Sequence, residues 1–92
     1  GYVAIAIEAL TDGGVAAGLP RAIAAKLALQ TVLGTAQLLH ESEMHPAELK
    51  DRVTSPGGTT ITGIMALENA GFRAALMQAV QAATQKSQEL GS

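Results

Sequence analysis

Ninety-two residues make one domain with a thin core, because a chain this short buries only about 60–65% of its unfolded surface. Hydrophobic residues are 48% and charged ones 15%, with one Tyr, one Phe and no Trp; so much apolar surface on so small a chain calls for a covering partner, and self-association is expected. Six basic residues stand against eight acidic ones, a net charge of -2, and their scatter along the chain excludes the basic footprint of nucleic-acid binding.

The absence of Cys excludes disulfides, thiolate metal sites and a Cys nucleophile, and fits a cytoplasmic setting. No run reaches the roughly 18 uninterrupted apolar residues of a membrane span; Glu8, Asp12, Arg21 and Lys26 interrupt the N-terminal half. The chain opens on Gly1 and becomes helix-like within two or three residues. That reads as a piece of a longer polypeptide cut near a domain boundary.

The first helix is expected from Tyr2 to about Ala17. Val3, Ile5, Ile7, Leu10 and Val15 fall on nearly every face, the pattern of a buried helix. Glu8, Thr11 and Asp12 share one polar stripe through their three- and four-residue spacing. Gly13 and Gly14 each weaken the helix by about 1 kcal/mol relative to Ala, so it either bends there or admits another backbone closely. "GLPR" at Gly18–Arg21 is punctuation, with Gly18 suited to a helix C-terminus and Pro20 to the next first turn.

The second helix is expected from Pro20 to about His40. Ile23, Leu27 and Leu38 help form its apolar stripe, while Ala24, Ala28, Thr31 and Gly34 keep its surface low enough for a close neighbour. Pro46 opens a short helix around Leu49. A Pro/Gly/Thr loop follows, then a helix capped by Thr60 or Thr59 that carries Ile61, Ile64, Met65 and Leu67. "NAG" at Asn69–Gly71 ends it. The last helix runs from about Phe72 to Leu90 on Phe72, Leu76, Val80 and Ala83, and Gly91-Ser92 reads as a frayed or added end. No strand and no repeat emerges. The fold class is all-α, a bundle of about four long helices and a short one, in a single domain over residues 1–92.

Little of the chain carries recognisable chemistry. His40 and His45 in "HESEMH" are five apart, about 140° around a helix, where zinc binding of the H-E-x-x-H kind requires four. They read as a solvated helix end, and no metal is expected. Glu8 and Asp12 form a like-charged pair explained by a solvated stripe. Neither GxGxxG nor GxxxxGK[ST] occurs, and no GxSxG elbow supports a hydrolase.

The loop "TSPGGTT" at Thr54–Thr60 stands apart. Pro56 fixes φ, and Gly57 and Gly58 admit backbone conformations closed to other residues. The helix that follows offers unpaired N–H groups and the positive end of its dipole, beside the hydroxyls of Ser55, Thr59 and Thr60. One reading is a binding site for a small anion, a carboxylate or phosphate. The other is an ordinary tight turn with a Thr cap. Residue chemistry alone leaves both open.

"EALTDGGVAAGLPR", "AKLALQTVLGTAQLL", "HPAELKDRVTSPGGTTITGIMALE" and "GFRAALMQAVQAAT" together resemble the C-terminal domain of pyrroline-5-carboxylate reductases. DGG, GLPR, LKD, SPGGTT and GFR occur in that family's order, and the stretch from Leu49 to Glu68 is its signature. The resemblance implies an enzyme that reduces the C=N bond of Δ1-pyrroline-5-carboxylate with NADPH or NADH to give L-proline. It implies an all-α domain interlocked with its twin as an obligate dimer, with dimers commonly assembled into decamers. It further implies that Ser55 and the amides around Gly57, Gly58, Thr59 and Thr60 hold the substrate carboxylate. Thr60 would then serve as the catalytic hydroxyl, bonding the ring nitrogen and offering a relay for the proton. Glu43 matches an acidic position near that site. The family's N-terminal Rossmann domain is absent from this sequence, so the 92 residues alone are expected to bind no dinucleotide and to be inert. A purely structural oligomerisation module and a small phosphate-binding helical protein are the alternatives.

Overall fold

The computed structural model describes residues 1–91 and is helical throughout its regular parts. Five helices follow in order: α1 (Tyr2–Ala16), α2 (Arg21–Ser42), α3 (Pro46–Arg52), α4 (Thr59–Asn69) and α5 (Phe72–Gly91). The all-α class holds. The expectation for Ser92 lies outside the described residues, whereas Gly91 belongs to α5. Two compact units divide the chain between Leu49 and Lys50, inside α3.

In the first unit, α1 ends as its sequence requires. Gly18 takes a left-handed φ of 109°, the Leu19 amide donates to the Gly14 carbonyl, and the Gly18 amide donates to Val15. This paired arrangement satisfies carbonyls that the helix end would otherwise leave open. The chain turns through Pro20, the N-cap of α2, so that α1 and α2 pack together.

Small side chains set that packing. An added Cβ on Gly14 would lie 3.0 Å from the Ala24 Cβ and 3.4 Å from a Leu19 methyl, whereas one on Gly13 would meet nothing within 4 Å. Close approach, the second of the two readings of the glycine pair, therefore belongs to Gly14. Ala24 and Ala28 are the buried hydrophobic residues among those described. Thr11 departs from the solvated stripe expected of it: it is buried, and its hydroxyl donates to the Ile7 carbonyl at 2.8 Å, which removes the cost of burying it. Its stripe-mate Asp12 is exposed and pairs with Arg21 at 2.8 Å, joining the two helices across their turn.

The second unit holds α4 and α5, joined where Gly71 adopts a φ of 75° and its amide donates to the Glu68 carbonyl. Arg73 bridges back to Glu68 at 2.7 Å across this turn. Ile61 and Ile64 are half-buried, and no described side chain of this unit is fully buried.

Apolar side chains without cover dominate both units. The first exposes Val3, Ile5, Leu10, Ile23, Leu27 and Leu33; the second exposes Met65, Leu67, Phe72, Leu76, Met77 and Val80. The all-round apolar pattern of α1 signals burial, yet within one chain only Thr11 of that helix is buried. Covering each large residue stabilises by about 1.5–3 kcal/mol, so the driving force for association is large. α2 is also long and apolar enough to cross a membrane by length and composition, a property it shares with core helices.

Candidate substrate loop

The loop joins α3 to α4 within the second unit. After α3 the Thr54 hydroxyl donates to the Asp51 carbonyl at 3.0 Å, and the Thr54 amide reaches the same oxygen at 3.4 Å. Ser55, Pro56, Gly57 and Gly58 then form a β-turn closed by the Gly58 amide on the Ser55 carbonyl at 3.0 Å. Pro56 at the second position and Gly57 at the third, with φ 67°, make it a type II turn, which demands positive φ at that third residue.

Gly58 is constrained differently. Its φ of -79° and ψ of 176° suit any residue. A side chain would meet Ser55, whose hydroxyl lies where a Gly58 Cβ would go and whose carbonyl oxygen would lie 3.3 Å from it. The Ser55 hydroxyl is thus folded over the start of α4.

Gly58 is also the N-cap of α4, and it supplies no side-chain cap bond. This corrects the expected Thr59 or Thr60 cap: those residues are the first two of the helix itself. The type II turn uses Ser55 to Gly58, so the extended residue before the helix falls on Gly58 and the threonines move inward. As a result the first-turn amides of Thr59, Thr60 and Ile61 receive no cap, and the Thr59 and Thr60 hydroxyls are not spent as caps. Ser55, Thr59 and Thr60 are exposed, and Gly58 is half-buried.

Val53 to Met65 contains no charged residue. Within this stretch the groups available to an anion are amides, hydroxyls and the helix dipole. Such a set suits a singly charged carboxylate.

Glu43 belongs to the first unit. It is the C-cap of α2 with a left-handed φ of 56°, alone among described non-glycine residues in having positive φ. The Glu43 amide donates to the Leu39 carbonyl at 3.1 Å, and the Ser42 hydroxyl accepts from the Met44 amide at 3.2 Å. Glycine or asparagine is usual at such a position, and hydrophobic periodicity gives no sign of it. His45 accepts the Ala47 amide on Nδ1 at 3.0 Å, making it the side-chain cap of α3. His45 is exposed, as expected of it, and the cap bond is an addition to that reading.

Fold and loop together define a helical domain with far more apolar surface than one chain covers and an amide-rich turn at a helix start. A family model described as pyrroline-5-carboxylate reductase dimerisation matches residues 1–90, and the chain belongs to that family. It is 70% identical over 90 residues to the pyrroline-5-carboxylate reductase of Synechocystis sp., covering 98% of this chain and 34% of that protein. It is 64% identical over 89 residues to that of Glycine max, covering 97% and 32%. A crystal structure of Plasmodium falciparum pyrroline carboxylate reductase with NADP bound superposes with a TM-score of 0.94 at 42% identity, over 99% of this chain and 35% of that one. A Streptococcus pyogenes 1-pyrroline-5-carboxylate reductase gives 0.83, also at 42% identity, over 87% and 31%. The chain thus spans about a third of the length of these relatives.

Proposed function

We propose that this chain is the self-associating, substrate-holding part of an enzyme that reduces Δ1-pyrroline-5-carboxylate to L-proline with NAD(P)H. Family membership over residues 1–90 and the relatives' names support the reaction. The observation that carries the loop's role is the uncapped start of α4 behind the Ser55–Gly58 turn. The amides of Gly57 to Thr60 and the Ser55 hydroxyl hold the substrate carboxylate, except that the Gly58 amide is already engaged by Ser55. The Thr60 hydroxyl, in the first turn of α4, bonds the ring nitrogen and orients the imine, leaving an O–H in line for proton movement.

The residues of this chain do not fit a dinucleotide. They include no glycine-rich fingerprint, no strand feeding one among the described residues, and no basic side chain in the loop to meet a pyrophosphate. Reduction therefore requires a part of the enzyme outside this sequence, and residues 1–92 act as one dimerisation and substrate-loop domain. The active species is an obligate homodimer, with dimers further assembled into a decamer.

The alternatives differ in what the loop binds. A doubly charged phosphate at a loop without Lys or Arg would go half-neutralised, which disfavours the phosphate-binding reading. A purely structural module would bind nothing there. Titrating the chain with L-proline while following amide shifts separates these readings. Shifts confined to Gly57–Ile61 that inorganic phosphate does not reproduce support the substrate loop; no shifts at high concentration would refute it. The chain alone should show no NAD(P)H oxidation with pyrroline-5-carboxylate, and measurable turnover would contradict the assignment.

A further inference from the structure

Two threonines outside the donor set hold the loop at its ends. Thr54 fixes the residue before Ser55, because its hydroxyl donates to the Asp51 carbonyl at 3.0 Å and closes the last turn of α3. Thr62 fixes the other end: its hydroxyl donates to the Gly58 carbonyl at 2.9 Å, which its own amide also reaches at 3.3 Å. A peptide group is planar and trans, so a Gly58 carbonyl held along α4 turns the Thr59 N–H the opposite way, out from the free end of the helix. That N–H is the first donor an anion meets.

We infer that Thr54 and Thr62 are positioning residues that aim the loop's donors at the substrate carboxylate without touching it. Neither hydroxyl is available as a ligand, since each is used on a backbone carbonyl. Thr54 orients Ser55, whose carbonyl must accept the Gly58 amide while its hydroxyl lies over Gly58. Thr62 orients the Gly58–Thr59 peptide. Between these anchors the chain has only the turn's single hydrogen bond and the rigidity of Pro56.

The inference rests on the carboxylate-holding reading above, and one experiment separates the two. L-Proline is titrated into the chain and into its Thr54→Val, Thr62→Val, Thr54→Ser and Thr62→Ser variants, with amide shifts followed at Gly58–Ile61. Each valine variant should bind about three- to tenfold more weakly, the size of one neutral hydrogen bond. Each serine variant, keeping the hydroxyl, should stay within about twofold of the parent, an outcome that mere loss of packing does not produce. Hydrogen exchange of the Gly58 amide without ligand gives a second readout, expected to be faster in Thr54→Val and unchanged in Thr54→Ser. If the parent binds and the valine variants bind equally well with unchanged exchange, the positioning role is wrong and the carboxylate site stands. A parent that shows no shifts overturns both.

Discussion

Gly58→Ala probes the loop where the structure is most specific. The backbone at Gly58, φ -79° and ψ 176°, accepts alanine, and fewer unfolded conformations should then favour the fold by about 0.4–1 kcal/mol. Against this, the new Cβ takes the place of the Ser55 hydroxyl and lies 3.3 Å from the Ser55 carbonyl oxygen. Ser55 must rotate away, at about 0.5–1.5 kcal/mol. The two effects nearly cancel, so the melting temperature should move by only a few degrees. Binding should respond far more. On the proposed carboxylate site, a displaced Ser55 hydroxyl loses a bond to a charged group, worth about 1.5–3 kcal/mol, or roughly ten- to 150-fold in affinity for L-proline. Ser55→Ala should weaken binding to the same degree, and the double variant should be no worse than either single one, since both remove one contact. Thermal denaturation and amide-shift titration measure the two quantities. Affinity unchanged in Gly58→Ala, or additive losses in the double variant, would refute the placement of Ser55 over the helix start.

Gly57→Ala is expected to destabilise outright, because a side chain at φ 67° costs about 1–2 kcal/mol; denaturant melts at constant slope would show it. Leu27→Glu should break self-association: Leu27 is 53% exposed on α2, and a carboxylate under a partner costs several kcal/mol per copy, so sedimentation should report a dissociation constant raised at least about a hundredfold. Glu68→Gln should change stability by less than about 1 kcal/mol, since the pair with Arg73 is exposed on both sides and such pairs contribute little.

Helix positions were legible wherever glycine or proline punctuates the sequence. Gly18 adopts the left-handed C-terminal position that "GLPR" suggested, and Gly71 ends α4 within "NAG". The small residues of α2 signalled close approach, and Ala24 against Gly14 realises it. What the pattern missed depends on local closure or on groups distant in the chain. Thr59 and Thr60 looked like caps because capping is a composition rule, while the cap position is set by which four residues the Pro56–Gly57 turn consumes. Thr11 looked solvated because its spacing matched Glu8 and Asp12, yet an i−4 bond to the Ile7 carbonyl lets it sit buried. Glu43 in left-handed backbone carries no periodic signal at all. For α1, an apolar surround reads as burial without saying whose surface does the burying, and within one chain that surface is largely bare.

Association would cover the apolar faces that both units leave bare. Light scattering on the purified chain at micromolar concentration tests it most directly. A particle at least twice the 9.3 kDa of one chain is expected. A well-folded, helical monomer of 9.3 kDa would contradict it.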